Sequence, residues 1–265
     1  MTRYPAGRPL LDAPRRRVGE IDFTVLPLAE AIDGVIAASR SIDDDGHPGL
    51  AVHFCNAYNV ALARTDRPYA DRLANADVVF SDGVPITWVG KRAYPDLADR
   101  WDRVYGPDVM RGVFATSTVP KHYLLGGSPE TLDALQVRLR EEYPSAKIVG
   151  AESPPFRAAS YDELRRRDRR IEVSGATIVW VGLGTPKQDF EVQRLASSLP
   201  VVAMAVGAAF DFLAGTKPQA PVWMQRSGTE WAFRLASEPK RLGRRYVWGN
   251  SVFAAEAART VRSAR

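Results

Sequence analysis

Two short apolar runs, Leu50 to Cys55 and Val78 to Phe80, each stop at a polar residue where a buried strand would end: Asn56 after the first, Asp82 after the second. Between them Ala57, Val60, Ala61 and Ala63 follow helical spacing, and Pro68 opens a second short helix through Leu73 and Ala76. A strand, a helical crossover and a second strand make a parallel unit, which is right-handed almost without exception. Ligands of open α/β sheets bind outside the carboxyl ends of the strands, so the pattern puts Asn56 and Asp82 on one functional rim. The competing reading is that both merely cap the helices that follow, a role in which Asn and Asp are favoured.

Upstream, residues 1 to 20 mix Pro, Gly and three consecutive arginines with little periodicity and read as an irregular leader. Ile21 to Leu26 reads as a strand, and Pro27 opens an amphipathic helix with Leu28, Ile32, Val35 and Ile36 on one face. The segment SIDDDGHPG from Ser41 reads as a loop. Its Asp43 and Asp45 form a DxD pair, but in a Gly/Pro-rich turn a solvated loop is the better reading than a metal site.

After Asp82 and Gly83, residues 84 to 91 predict a short helix whose N-terminus points back at the strand ends and suits an anion. Arg103 and Asp108 then flank Gly106 before an apolar helix through Met110, Val113 and Phe114. Arg103 reads equally as a surface charge or as a phosphate ligand.

From Lys121 strands and helices alternate: HYLLGG, a helix from Ser128, AKIVGA, a helix from Ser160, ATIVWVG, a helix from Pro186, and PVVAMAVG. Ser128-Pro129 supplies a cap with proline in the first turn, and Ser160 with Glu163 a capping box. The alternation predicts an α/β fold with a Rossmann-like, mostly parallel sheet flanked by helices. The turns Gly126-Gly127 and Gly182-Leu183-Gly184 both fall short of GxGxxG, because Glu130 and Lys187 stand at the third glycine positions. Each loop still lets backbone amides approach a phosphate, with tight strand-to-helix packing as the alternative.

Past Lys217 to Pro221 the pattern changes to aromatic residues interleaved with arginines at helical spacing, including Trp223, Trp231, Tyr246 and Trp248. Residues 221 to 265 carry nine basic and three acidic side chains, so the net +5 of the 265-residue chain belongs to its tail. A basic appendage on a near-neutral body argues against general nucleic-acid binding. Amphipathic helices of this composition suit an anionic membrane surface, the alternative being helices packed on the domain with a solvated basic face. The expected division is therefore a leader over 1–20, an α/β domain over 21–220 and an appendage over 221–265.

The 45% apolar and 25% charged composition is that of an ordinary globular protein. No run reaches the roughly 18 apolar residues of a spanning helix, and the N-terminus lacks a signal-peptide core, so a cytoplasmic location is expected. Cys55 is the single cysteine and reads as a buried small hydrophobe. His47, His53 and His122 give no metal-ligand spacing.

Six motifs together resemble those of the WecG/TagA/CpsF glycosyltransferases, glycosyltransferase family 26. They are Asn56, Asp82-Gly83, Arg103-Val104-x-Gly106-x-Asp108, Gly182-Leu183-Gly184-x-Pro186-Lys187-Gln188, Ala209-Phe210-Asp211, and Trp223-Met224-Gln225-Arg226 through Glu230-Trp231. The resemblance implies an inverting, metal-independent and cofactor-free transferase. It would move an N-acetylmannosamine-like or related hexose from a UDP-sugar to a polyprenyl-diphosphate-linked sugar at the inner face of the membrane, in surface-polysaccharide or wall-polymer synthesis. It implies Asp82 as catalytic base, with Asn56 and Gln188 lining the substrate pocket and the appendage docked on the membrane, bringing arginines to the site. The substrate-binding candidates are then Asn56, Gly83, Arg103, Gly126, Gly127, Gly184, Lys187 and Gln188, and the appendage candidates Arg226, Arg234, Arg241, Arg244 and Arg245. Phe54 stands where the family often has Thr, and Asp189 where Glu is common. Two rivals remain at this stage, a nicotinamide-dependent oxidoreductase and a non-catalytic protein whose basic tail reaches lipid or nucleic acid, and homo-oligomerisation is left open.

Overall fold

The computed structural model describes residues 9–45, 48–116 and 120–264. In chain order these form β1 (Arg15–Val18), β2 (Ile21–Thr24), α1 (Leu28–Asp45), β3 (Leu50–Cys55), α2 (Ala57–Thr65), α3 (Arg67–Ala74), β4 (Val78–Ser81) and α4 (Val84–Ala93). A 3-10 turn (Pro95–Arg100) leads to α5 (Gly106–Phe114), β5 (Lys121–Gly126), α6 (Pro129–Glu142), β6 (Lys147–Glu152), α7 (Tyr161–Ser174), β7 (Ile178–Gly182) and α8 (Lys187–Ser198). The chain ends through β8 (Val202–Ala205), α9 (Ala209–Ala214), α10 (Val222–Arg226), α11 (Glu230–Ser237) and α12 (Pro239–Ser263).

Six strands make one sheet in the order β4-β3-β8-β7-β5-β6. The pairs β3/β8, β8/β7, β7/β5 and β5/β6 are parallel. This is the mostly parallel α/β sheet that the alternation predicts. β3 and β8 are buried along their whole length, as expected of strands covered on both faces.

Two stretches differ from the sequence expectation. Arg15–Val18, within the stretch read as irregular, is a strand paired antiparallel with β2. Its turn uses Gly19 at φ 62°, and Arg17 grips Asp22 through two bonds of 2.9 and 2.7 Å. A charged RRRV segment has no apolar alternation to announce it, so pairing decides it. The helix α1 also continues through Asp45, where a loop was expected. The DxD residues Asp43 and Asp45 are thus helical in backbone, and their side chains lie outside the described part of the structure.

The chain divides into two compact units. One comprises Ala29–His53, Gly106–Lys217 and the described residues up to Asp12. Its core joins Leu125, Val179, Val181 and Ala203 of the sheet to Ile171 of α7 and Val192 and Leu195 of α8. Leu195 is fully buried, so its truncation to Ala would cost about 2–5 kcal/mol. In the same unit Phe114 stacks on His122 at 4.1 Å, and the Trp180 indole N–H donates to His122 Nδ1 at 3.2 Å.

The other unit comprises Ala13–Leu28, Phe54–Tyr105 and the chain from Pro218 on. Here α12 packs on α2 and α4, burying Leu242 and Phe253 together with the polar Glu256 and Thr260. Arg64 Nε meets Glu256 at 3.1 Å, and the Gly19 amide donates to Thr260 Oγ1 at 3.1 Å. The helix-packed alternative for the tail therefore describes α12. By contrast, α10 and α11 bury none of their residues, and Trp223 is 67% exposed.

Candidate functional site

The second unit builds its site where β3 and β4 end. The Asp82 amide donates to the Cys55 carbonyl at 2.9 Å, carrying the strand ladder one residue past β4 and setting Asp82 at the mouth of the sheet. Gly83 lies against Asn56: a Cβ on this glycine would stand 3.3 Å from the Asn56 Cβ. Asn56, Asp82 and Gly83 thus lie together at the strand ends, joined through the Asp82–Cys55 bond and the Gly83–Asn56 contact. Asn56 does cap α2, its Oδ1 accepting the Tyr58 amide at 3.0 Å while the Asn59 side chain returns to the Asn56 amide. Only the carbonyl end of Asn56 serves this cap. The N-cap position of α4 is taken by Gly83, which has no side chain to bond the helix, and not by Asp82. Pro85 carries no N–H and the Ile86 amide donates to the Gly83 carbonyl at 3.0 Å, so the start of α4 offers partial positive charge beside Asp82 and not a row of free N–H groups.

Arg103 reaches this rim as a largely buried side chain with fixed geometry, not as a solvated surface charge. Its Nε donates to the Asp82 carbonyl at 3.0 Å, Nη1 to Gln225 Oε1 at 3.3 Å and Nη2 to Glu230 Oε2 at 2.5 Å. The guanidinium lies 3.7 Å above the Tyr105 ring. Val104 and Ser81 hold the segment in place, the Val104 amide donating to the Ser81 carbonyl at 2.9 Å. Tyr105 donates its hydroxyl to Glu230 Oε1 at 2.9 Å and accepts from Arg234 Nη2 at 3.2 Å. Arg234 also pairs with Glu230 Oε1 at 2.6 Å.

Charge and burial act together on this cluster. Burial above all, with the carboxylates of Glu230 and Asp82, pushes the Tyr105 phenol well above its ordinary value, against the opposing pull of Arg234 and Arg103. It stays a neutral donor at any physiological pH. For Arg234 burial favours loss of the proton, but Glu230, Tyr105, Tyr246 and Asp82 outweigh it and raise its pKa. Asp82 is therefore within electrostatic reach of both groups.

The appendage candidates separate clearly. Arg234 joins the cluster just described, and Arg245 stacks 3.7 Å above the Tyr58 ring, next to the Asn56 cap. Arg226 and Arg244 are exposed, and the Arg241 side chain lies outside the described part of the structure. Tyr58, Tyr105, Gln225 and Glu230 were not among the residues expected at the site. Gln225 and Glu230 are named in the quoted motifs and Tyr105 fills an unspecified position of one, which is the available signal.

The glycine turns belong to the other unit and are described by themselves. Gly126 adopts φ 128°, and a Cβ there would fall 2.5 Å from the Gly182 carbonyl oxygen. Close backbone approach is thus sufficient reason for this glycine. Gly127 takes φ 73° and donates its amide to Gly182 O at 3.1 Å. Gly184, at φ 75°, has open space where a Cβ would be. Gln188 is buried with both ends engaged, Oε1 accepting from the Gly184 amide at 2.9 Å and Nε2 donating to the Ala205 carbonyl at 3.0 Å. These two bonds fix the shape of the β7–α8 turn. Lys187 is exposed, its Nζ 4.5 Å above the Phe156 ring. Asp189, expected only as a short version of Glu, is fully buried with Oδ1 3.0 Å from Nδ1 of the equally buried His53.

Among the described residues, no three or more His, Cys, Asp or Glu side chains gather as a metal site. Compared with known families, residues 16–265 match the sequence model of the glycosyl transferase WecG/TagA/CpsF family.

Proposed function

The chain belongs to the WecG/TagA/CpsF family of glycosyltransferases, which act in cell-wall or polysaccharide synthesis, and from that premise we propose that it transfers a hexose from a UDP-sugar to a polyprenyl-diphosphate-linked sugar with inversion. Asp82 takes the proton from the acceptor hydroxyl as that oxygen attacks the anomeric carbon. The bond from that carbon to the UDP oxygen breaks on the opposite face, and its electron pair leaves with the diphosphate. One carboxylate is enough for an inverting displacement, because no covalent intermediate has to form.

The observation that carries this reading is the single guanidinium of Arg103, which bonds the Asp82 backbone and the appendage residue Glu230 at once. It stacks cationic charge next to the proposed base, where a departing diphosphate needs it. Arg234 and the positive end of the α4 dipole add to that field. Arg245 on Tyr58 is a third cationic contributor near Asn56.

A membrane-bound acceptor fits the exposed surface of the same unit. Val222, Trp223, Trp231, Val247 and Trp248 are exposed on α10, α11 and α12, with Arg226, Lys240 and Arg244 exposed on the same helices. Aromatic and basic side chains together favour the interface of an anionic bilayer. No helix of the described residues is long and apolar enough to cross a membrane. The attachment proposed is peripheral, through these side chains, on the cytoplasmic side where the family resemblance puts the acceptor. Family membership sets aside the nicotinamide and non-catalytic readings.

The test is a panel of UDP-sugars offered with a short-chain lipid-diphosphate acceptor. The expected result is UDP release coupled to one new glycosidic bond of inverted anomeric configuration. Retention of configuration, or no transfer with any UDP donor, would overturn the proposal.

A further inference from the structure

We propose that Glu230 is the positioning residue of the site, holding Arg103 and Arg234 as a pair beside Asp82 through its two acceptor oxygens. This rests on the reading of Asp82 as base and of UDP as leaving group, and concerns how the cationic part of that site is kept in place.

Two guanidinium groups converge here on one phenol. Arg103 lies 3.7 Å above the Tyr105 ring, and Arg234 donates to the hydroxyl of the same ring at 3.2 Å. Like charges this close repel, and partial removal from water strengthens the repulsion. The arrangement needs an anion between them. Glu230 supplies it with its oxygens divided: Oε2 takes Arg103, and Oε1 takes both Arg234 and the Tyr105 hydroxyl. The Arg103 and Glu230 side chains are 14% and 15% exposed, so this is not a solvated surface pair of negligible weight.

The consequences for Arg103 are geometric. With Nη2 on Glu230, Nε on the Asp82 carbonyl and Nη1 on Gln225, its plane is fixed from three sides. Glu230 opens α11, so the same carboxylate also brings Arg234, one turn further along, to the cluster. Considered as charge alone, a carboxylate next to a diphosphate site should hinder the anion. Its presence makes sense if ordering two arginines outweighs that repulsion, and the two accounts predict opposite signs.

The experiment is calorimetric titration of UDP into the full chain, as wild type, Glu230→Gln and Glu230→Asp. Gln keeps the length and removes the negative charge, but turns one acceptor into a donor facing a guanidinium. Asp keeps the charge but is too short to span both arginines. The proposal expects each variant to bind UDP about 10-fold or more weakly than wild type. It also expects Arg103→Gln combined with Glu230→Gln to lose less than the sum of the two single losses, since the Arg103 share is counted in both. Tighter or unchanged binding in Glu230→Gln, or unchanged binding in Glu230→Asp, would overturn it. Circular dichroism at the titration temperature reports the fold; if Glu230→Gln does not fold, Glu230→Asp carries the test, and loss of fold in both makes Glu230 a stability residue and also overturns it. Failure of wild type to bind UDP would sink the UDP reading and this inference with it, a result distinct from UDP binding that Glu230 does not influence.

Discussion

The Arg103 guanidinium donates through Nε to the backbone carbonyl of Asp82 at 3.0 Å, so this arginine takes its position from the main chain of the proposed base. A backbone acceptor does not titrate and does not swing away. Lysine offers one ammonium where Arg103 uses a planar fork in three directions and a stacked face. Arg103→Lys should therefore lower kcat/KM by about 10–100-fold, the effect expected for lost hydrogen bonds to charged groups. Steady-state transfer kinetics check this, and a change below about twofold would mean that only the positive charge matters.

The appendage arginines should divide by function. Arg234, bonded to Glu230 and Tyr105, and Arg245, stacked on Tyr58, are held next to the rim. Replacing either by Gln should reduce turnover on a short-chain acceptor more than replacing the exposed Arg226 or Arg244. The latter two should instead weaken sedimentation with anionic vesicles, by about 1 kcal/mol each at low salt. The same ranking in both assays would contradict the division.

His122 predicts a pH dependence of stability in the other unit. Burial lowers its pKa from 6.5 to about 3, and Nδ1 already accepts the Trp180 indole proton. Between those two values the unfolded chain binds a proton that the folded chain refuses. Stability from this group is thus complete above about pH 6.5 and is lost as the pH falls toward 3, by as much as about 5 kcal/mol. Urea unfolding of His122→Phe and wild type from about pH 4 to about pH 7 should show a flatter slope in the variant. Equal slopes would contradict the assignment.

The extent to which these features were legible in the sequence follows the range of the interactions that make them. Strands such as Leu50–Cys55 and caps such as Ser128 and Ser160 with Glu163 are local, and apolar runs and short spacings announced them. The rim of Asn56 and Asp82 was likewise readable, because each ends a run. Glu230 is visible as part of a motif but its role is not: its partners Arg103 and Tyr105 are 127 and 125 residues away, and pairing at that distance leaves no periodicity. Gln188 and Asp189 were visible as part of a motif, but their burial against Gly184, Ala205 and His53 is a packing outcome. The strand Arg15–Val18 escaped for a related reason, since its register with β2 and the Arg17–Asp22 pair define it more than its own residues do.

The central claim is tested most directly by Asp82→Asn, which keeps the side-chain shape and leaves the backbone bond to Arg103 available. If Asp82 takes the proton of the acceptor hydroxyl, transfer should fall by at least about 10²-fold while UDP affinity stays within a fewfold of wild type. Unchanged turnover in a correctly folded Asp82→Asn protein would contradict the account.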